Sequence, residues 1–156
     1  MYDKFHGFLT ELEGHFTKLS QLLHDKLTAL ERFDIDRLDA ILKDEQVFVL
    51  FSKSFDTRLA SYRQQLGLKG EQLSEIIEEL PVEEQARFRG TYQRLKTTLE
   101  EVKALNLKCQ ELIEERLYSL DKAIKELDPS AAATYSKQGD DAKRPGDHPH
   151  LLSKSI

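Results

Sequence analysis

From Val82 to Leu127 the chain runs without a proline and with a single glycine, Gly90. Within that run a stripe recurs at gaps that alternate four and three: Phe88, Tyr92, Leu95, Leu99, Val102, Asn106, Cys109, Ile113, Arg116, Leu120, Ala123 and Leu127. This period puts the stripe on one face of a helix, close to the seam of a coiled coil. A helix of that extent measures roughly 70 Å at about 1.5 Å per residue. No small domain can enclose such a rod. The rest of the chain has to lie alongside it.

Two further helical segments precede it. From about Asp3 to Arg32, the residues Leu9, Leu12, Phe16, Leu19, Leu23 and Leu30 keep the same alternating gaps, with Lys26 in the one slot that is not apolar. Phe5, Phe8, Leu22 and Leu27 widen that stripe, which predicts more than one neighbour. Asp34 is suited to cap a following helix, because its carboxylate can accept from first-turn amides that lack an intrahelical partner. Phe33 and Asp34 then mark a tight reversal and an antiparallel hairpin. The second helix is expected from Ile35 to about Leu66, with Leu38, Ile41, Leu42, Phe48, Phe51, Phe55, Leu59, Tyr62 and Leu66 at helical spacing. The run "VFVLF" at 47–51 reads as the buried centre of this helix, touched from two directions. "GLKG" at 67–70 breaks it. A short helix from Glu71 to about Glu79 follows, and Pro81 sits where a helix begins without missing an amide hydrogen.

The expected fold is therefore all-α: an antiparallel bundle of three long helices and one short one. Residues 1–127 form the bundle domain. Asp128-Pro129 ends the last helix, because a proline disfavours helical backbone in the residue before it. Residues 128–156 are polar and rich in Gly and Pro, with the composition of a flexible, disordered tail.

Composition narrows the function classes. The formal charge is −5, and Lys and Arg are scattered among Glu and Asp; nucleic-acid binding needs a concentrated basic surface. No apolar run approaches the roughly 20 residues that span a bilayer. The start of the chain is acidic and periodic, unlike a signal peptide. One cysteine, Cys109, cannot form an internal disulfide and fits a reducing compartment, so a cytoplasmic protein is expected. His6, His15 and His24 are nine residues apart, half a rotation on a helix, and cannot converge on one metal. "HPH" at 148–150 lies in the tail. "GLKG" lacks the length and the Lys-Ser/Thr of a phosphate loop. Cys109 lies in the seam without a partner thiol and reads as a small buried side chain. No enzymatic activity, metal or cofactor is expected.

The lengths of the helices carry a consequence. The first two would each span roughly 45–48 Å and the last roughly 70 Å. Climbing back along its companions, the last helix should draw level with the first interhelical turn near Leu112. Ile113 to Leu127 would then project by roughly 20 Å, and Ile113, Leu117, Leu120, Ile124 and Leu127 continue the apolar stripe there. A polar overhang would need no explanation, whereas an apolar one implies a partner. Asn106 sits near the last level with neighbours, where it would either fix register or contact a partner. Arg116 would lie in the overhang, its stem covering apolar surface while its head stays wet. Leu107 and Tyr118 share the face opposite the stripe; singly exposed apolar residues are ordinary there.

The order of these features resembles the FlgN-like flagellar export chaperones, over roughly residues 8–140. The resemblance is strongest in "NLKCQELIEERLYSLDKAIKELDPSAAATYSKQG", where Asn106, Leu112, Ile113, Leu117, Tyr118, Leu120, Leu127, Tyr135 and Gly139 take the family's places. "RFDIDRLDAILKDEQ" looks like its central pattern, with Asp36, Leu38, Leu42 and Glu45 matching. Gln46 stands where members often carry Lys, and Cys109 or Gln110 where they carry a second Asn. The resemblance implies a chaperone that holds hook-associated (hook–filament junction) proteins in the cytoplasm before type III export. It would bind their C-terminal segments toward its own C-terminal part and deliver them to the export apparatus. Leu112, Ile113, Leu117, Tyr118, Leu120, Ile124 and Leu127 are the expected client-binding residues. A coiled-coil scaffold that homo-oligomerises is the alternative, and a homodimer of the free protein is left open.

Overall fold

A computed structural model describes residues 1–128 of the chain. Among the described residues there are four helices and no strand: α1 (Tyr2–Arg32), α2 (Ile35–Leu66), α3 (Leu73–Glu78) and α4 (Val82–Leu127). The expected bounds of α2 and α4 are those observed. The short helix is tighter than Glu71–Glu79 because Glu75 turns back and accepts from the backbone amides of Glu71 and Gln72, at 2.9 and 3.2 Å, which closes its first turn. The loop before it is pinned by Glu79, whose carboxylate accepts from Lys69 N and Gly70 N, both at 2.7 Å. A side chain at Gly70 would meet Glu75 Cβ and Ile76 N at 2.8 Å, so only glycine fits.

Asp34 caps α2 as its chemistry requires, accepting from Arg37 N at 3.0 Å. The reversal before it is made by Phe33, whose φ of 55° and ψ of 33° lie in the left-handed region. The amides of Phe33 and Asp34 reach back to the last carbonyls of α1, with Asp34 N on Ala29 O at 3.0 Å. This is the usual way a helix ends in a glycine; here the residue is phenylalanine.

Helix α1 is the centre of the molecule. It buries nine residues and packs against both α2 and α4, whereas α2 buries only Ile41 and Phe55. The main core lies in the half of the bundle next to α3. Phe5, Phe8, Leu9, Leu12 and Phe16 of α1 meet Phe55 of α2, Leu73, Ile76 and Ile77 of α3, and Phe88 and Leu95 of α4 there. A smaller cluster farther up joins Leu23 to Val102 and Leu105. Burial of each such side chain contributes about 1.5–3 kcal/mol. Lys26, the polar slot of the α1 stripe, is accommodated by a bidentate pair: its Nζ lies 3.0 Å from both carboxylate oxygens of Glu45, and both side chains are largely covered. A half-buried pair of this kind holds register more than it adds stability.

One expectation fails here. "VFVLF" is not a buried centre: Val47 and Leu50 are 65% and 68% exposed, Val49 and Phe51 are also exposed, and only Phe48 is half-buried. Leu42 is exposed too. The reason is topological, because α4 packs on α1 and not along α2, leaving α2 one neighbour at this height. An unbroken apolar run cannot say how many of its sides are covered.

His15 sits where α1 crosses this part of α2, its ring 4.6 Å from both Phe48 and Phe51 and 5.3 Å from Phe55. Desolvation among these rings pushes its pKa below the ordinary histidine value; nearby Lys18 adds to the effect, while the Phe48 backbone and Glu11 oppose it. The folded chain therefore binds its proton less readily than the unfolded one. Stability from this site is fully present above about pH 6.5 and is lost as pH falls below it. Urea midpoints measured at pH 7.5 and 5.5 should drop more for the natural chain than for His15→Phe.

Candidate functional site

The candidate site is the upper end of α4, and its boundary is set by what still touches the bundle. Cys109 is buried, Leu112, Ile113 and Arg116 are half-buried, and Leu117 onward is largely open. Arg116 marks the limit. Its guanidinium lies over the Phe33 ring at 4.3 Å from the centroid, level with the α1–α2 turn. The overhang thus begins one helical turn later than the lengths alone suggest, and from Arg116 to Leu127 it extends about 16 Å at 1.5 Å per residue. Arg116 does not project freely: its Nε is shut from solvent and its guanidinium rests over Phe33.

Beyond that point Leu117, Leu120 and Leu127 are 59%, 51% and 86% exposed, and Ile124 is half-buried. Their three- and four-residue gaps align them on one face of the helix. Tyr118 is 70% exposed but points to the other side, so one docked helix covering Leu120 would leave it outside. Leu112 and Ile113 lie below the turn and are partly covered by the chain itself. The flanks are charged: Lys125 pairs with Asp121 at 2.9 Å, and Gln110 Nε2 donates to Glu114 at 3.2 Å. Such exposed pairs contribute little stability but keep the apolar stripe narrow. The structure also brings two residues to this end that the sequence reading did not assign to it, Phe33 and Ile35, 60% and 66% exposed. The signal for Phe33 was a phenylalanine where a helix reversal favours glycine.

The register of α4 differs from expectation at two positions. Alternating gaps allow two phases that share Phe88, Leu95, Val102, Cys109 and Arg116. The structure buries Thr91 and Leu105, whereas Tyr92 is half-buried and Asn106 exposed. Asn106 therefore fixes no register in the core. Thr91 is tolerated because its hydroxyl is satisfied: it donates to Arg87 O at 3.3 Å and lies 2.9 Å from His6 Nε2. Leu107 is 56% exposed, on the outer face.

The candidates for chemistry are dispersed. His6 meets Thr91, His15 sits among phenylalanines, and His24 lies 3.0 Å from Glu101 on the surface. Cys109 is 2% exposed, and burial raises its thiol pKa, which keeps it a small apolar side chain. Among the described residues no group of three or more His, Cys, Asp or Glu could hold a metal ion, and no helix is long and apolar enough to cross a membrane. The "HPH" stretch at 148–150 and the tail lie outside the described residues. An open, shallow groove runs between α1 and α2, lined by Lys18, Leu22, Asp44, Val47 and Phe48 among others. The stripe on α4 presents leucine and isoleucine side chains, whose chemistry suits contact with another apolar surface.

A protein-family model described as "FlgN protein" matches residues 1–143. No curated protein and no solved structure matches the chain.

The register of α4 is open to test. Leu105→Ala should cost about 2–5 kcal/mol, as a buried leucine truncation does, and Asn106→Ala less than about 0.5 kcal/mol, both read from denaturant midpoints.

Proposed function

The chain belongs to the FlgN family of flagellar export chaperones, and from that premise we propose that it binds the C-terminal segments of hook-associated proteins on the projecting face of α4. The observation that carries this reading is the row Leu117, Leu120, Ile124 and Leu127, apolar and largely uncovered at the end of a helix longer than its companions. An amphipathic client segment folds against that row and supplies the helix that the bundle lacks at this height. Each side chain so covered contributes about 1.5–3 kcal/mol. Ordering the client and losing its free motion offset much of that sum, which leaves an affinity of about micromolar. Binding of that strength shields the client from self-association in the cytoplasm and still lets it go at the export apparatus. Leu112 and Ile113 extend the row toward the bundle, and Tyr118 serves a second contact on the opposite face. The site needs no cofactor and performs no catalysis.

A second reading has its own observation. The exposed Val47, Leu50 and Phe51 of α2 form another apolar surface, of the sort through which copies of one chain pair or build a scaffold. Light scattering separates the two: a scaffold stays oligomeric when client is added, and a chaperone forms a complex of fixed stoichiometry.

Leu120→Asp should abolish binding of hook-associated C-terminal peptides in calorimetry while leaving helix content and the urea midpoint nearly unchanged, because its side chain is 51% exposed in the free chain. Undiminished heats of binding with that variant would defeat the proposal.

A further inference from the structure

Phe33 is the one described non-glycine residue with positive φ. A β-carbon in the left-handed region crowds the following carbonyl, and glycine would relieve that strain. Strained backbone persists where the surroundings require the residue. The hydrophobic core does not require this one, since Phe33 is 60% exposed. What its ring meets is Arg116, 4.3 Å away and 83 positions along the chain. Arg116 makes no ion pair or hydrogen bond among the described residues, and its Nε is shut from solvent without an acceptor. The planar guanidinium lies over the face of the ring, where it can stack on the ring as well as be attracted to it, which a compact ammonium cannot.

The place of this contact gives it a role. Below it Val102, Leu105 and Cys109 of α4 are buried in the bundle; above it Leu117, Leu120 and Leu127 are exposed. We infer that Phe33 and Arg116 are a positioning pair that clamps α4 where it leaves the bundle, so that the projecting row keeps one direction and one helical register. This rests on the reading of that row as a docking face. The benefit is entropic: a row already ordered loses less freedom on docking than one that peels and frays. The left-handed turn is what aims the ring upward at Arg116, because a phenylalanine continuing α1 in ordinary helical backbone would point along the helix surface instead.

Backbone amide exchange of the full chain, with no client present, tests the inference. In Phe33→Gly the amides of residues 113–127 should exchange about two- to five-fold faster, the effect of losing one exposed cation–aromatic contact, while the urea midpoint does not fall because strain is relieved with the ring. Phe33→Tyr keeps the aromatic face and should exchange like the natural chain. Exchange in 113–127 that is the same in Phe33→Gly as in the natural chain overturns the inference. So does a lowered midpoint with faster exchange spread over all helices, the mark of an ordinary packing residue. These readouts involve no client, so their failure leaves the docking reading standing, and the calorimetry of Leu120→Asp judges that reading separately.

Discussion

Helices α2 and α4 bury their apolar faces against the same partner, α1, and α1 is 31 residues long whereas α4 has 46. The rise of an α-helix is set by its hydrogen bonds, so neither helix can stretch or shrink to match the other. Whatever α4 carries beyond the end of α1 is left without a packing partner among the described residues. The core, the turn and the open row all follow from this shared and limited surface. Phe5, Leu9 and Leu23 are fully buried because α1 is flanked on two sides; Leu117 and Leu127 are open because α1 has ended.

The same arrangement explains why α2 is the least covered of the long helices. It leans on α1 by Ile41 at one end and Phe55, Leu59 and Tyr62 near the other. Between them the contact runs through half-buried Phe48 and His15, and its outer side faces water. Polar fastenings are concentrated along this flank: Lys26 with Glu45, Arg37 with Asp25, and Arg58 with Glu11. The last also lays the Arg58 guanidinium 4.6 Å from the Phe8 ring centroid. The two more exposed pairs, Arg37–Asp25 and Arg58–Glu11, add little to stability, and the covered Lys26–Glu45 pair serves register. A bundle held this way keeps its register while leaving apolar surface available.

A chaperone for export has to bind reversibly, and an open row on a preformed helix suits that requirement. In the docking proposed above, a row that is already helical leaves most of the ordering to the client. Membership of the FlgN family makes the chain an export chaperone, and exposed apolar side chains along the row are of the kind that contact a protein partner. The chemistry of leucine and isoleucine there is burial and nothing else.

The residues themselves determined the helices and their ends. Periodicity placed α2 and α4, Asp34 and Pro81 began helices, and Gly67 stopped one, because capping and backbone freedom are local properties. They also determined that α4 outruns its neighbours, since length follows from residue count. Which side of each helix is covered was decided only in three dimensions. "VFVLF" is apolar in every direction, so its exposure depends on where α4 lies. Leu105 and Asn106 are separated by about 100° on the helix, and both fit an alternating pattern until α1 takes one side. The meeting of Phe33 with Arg116 belongs to the same class: each is local in the chain, but their contact exists because α4 returns to the level of the turn.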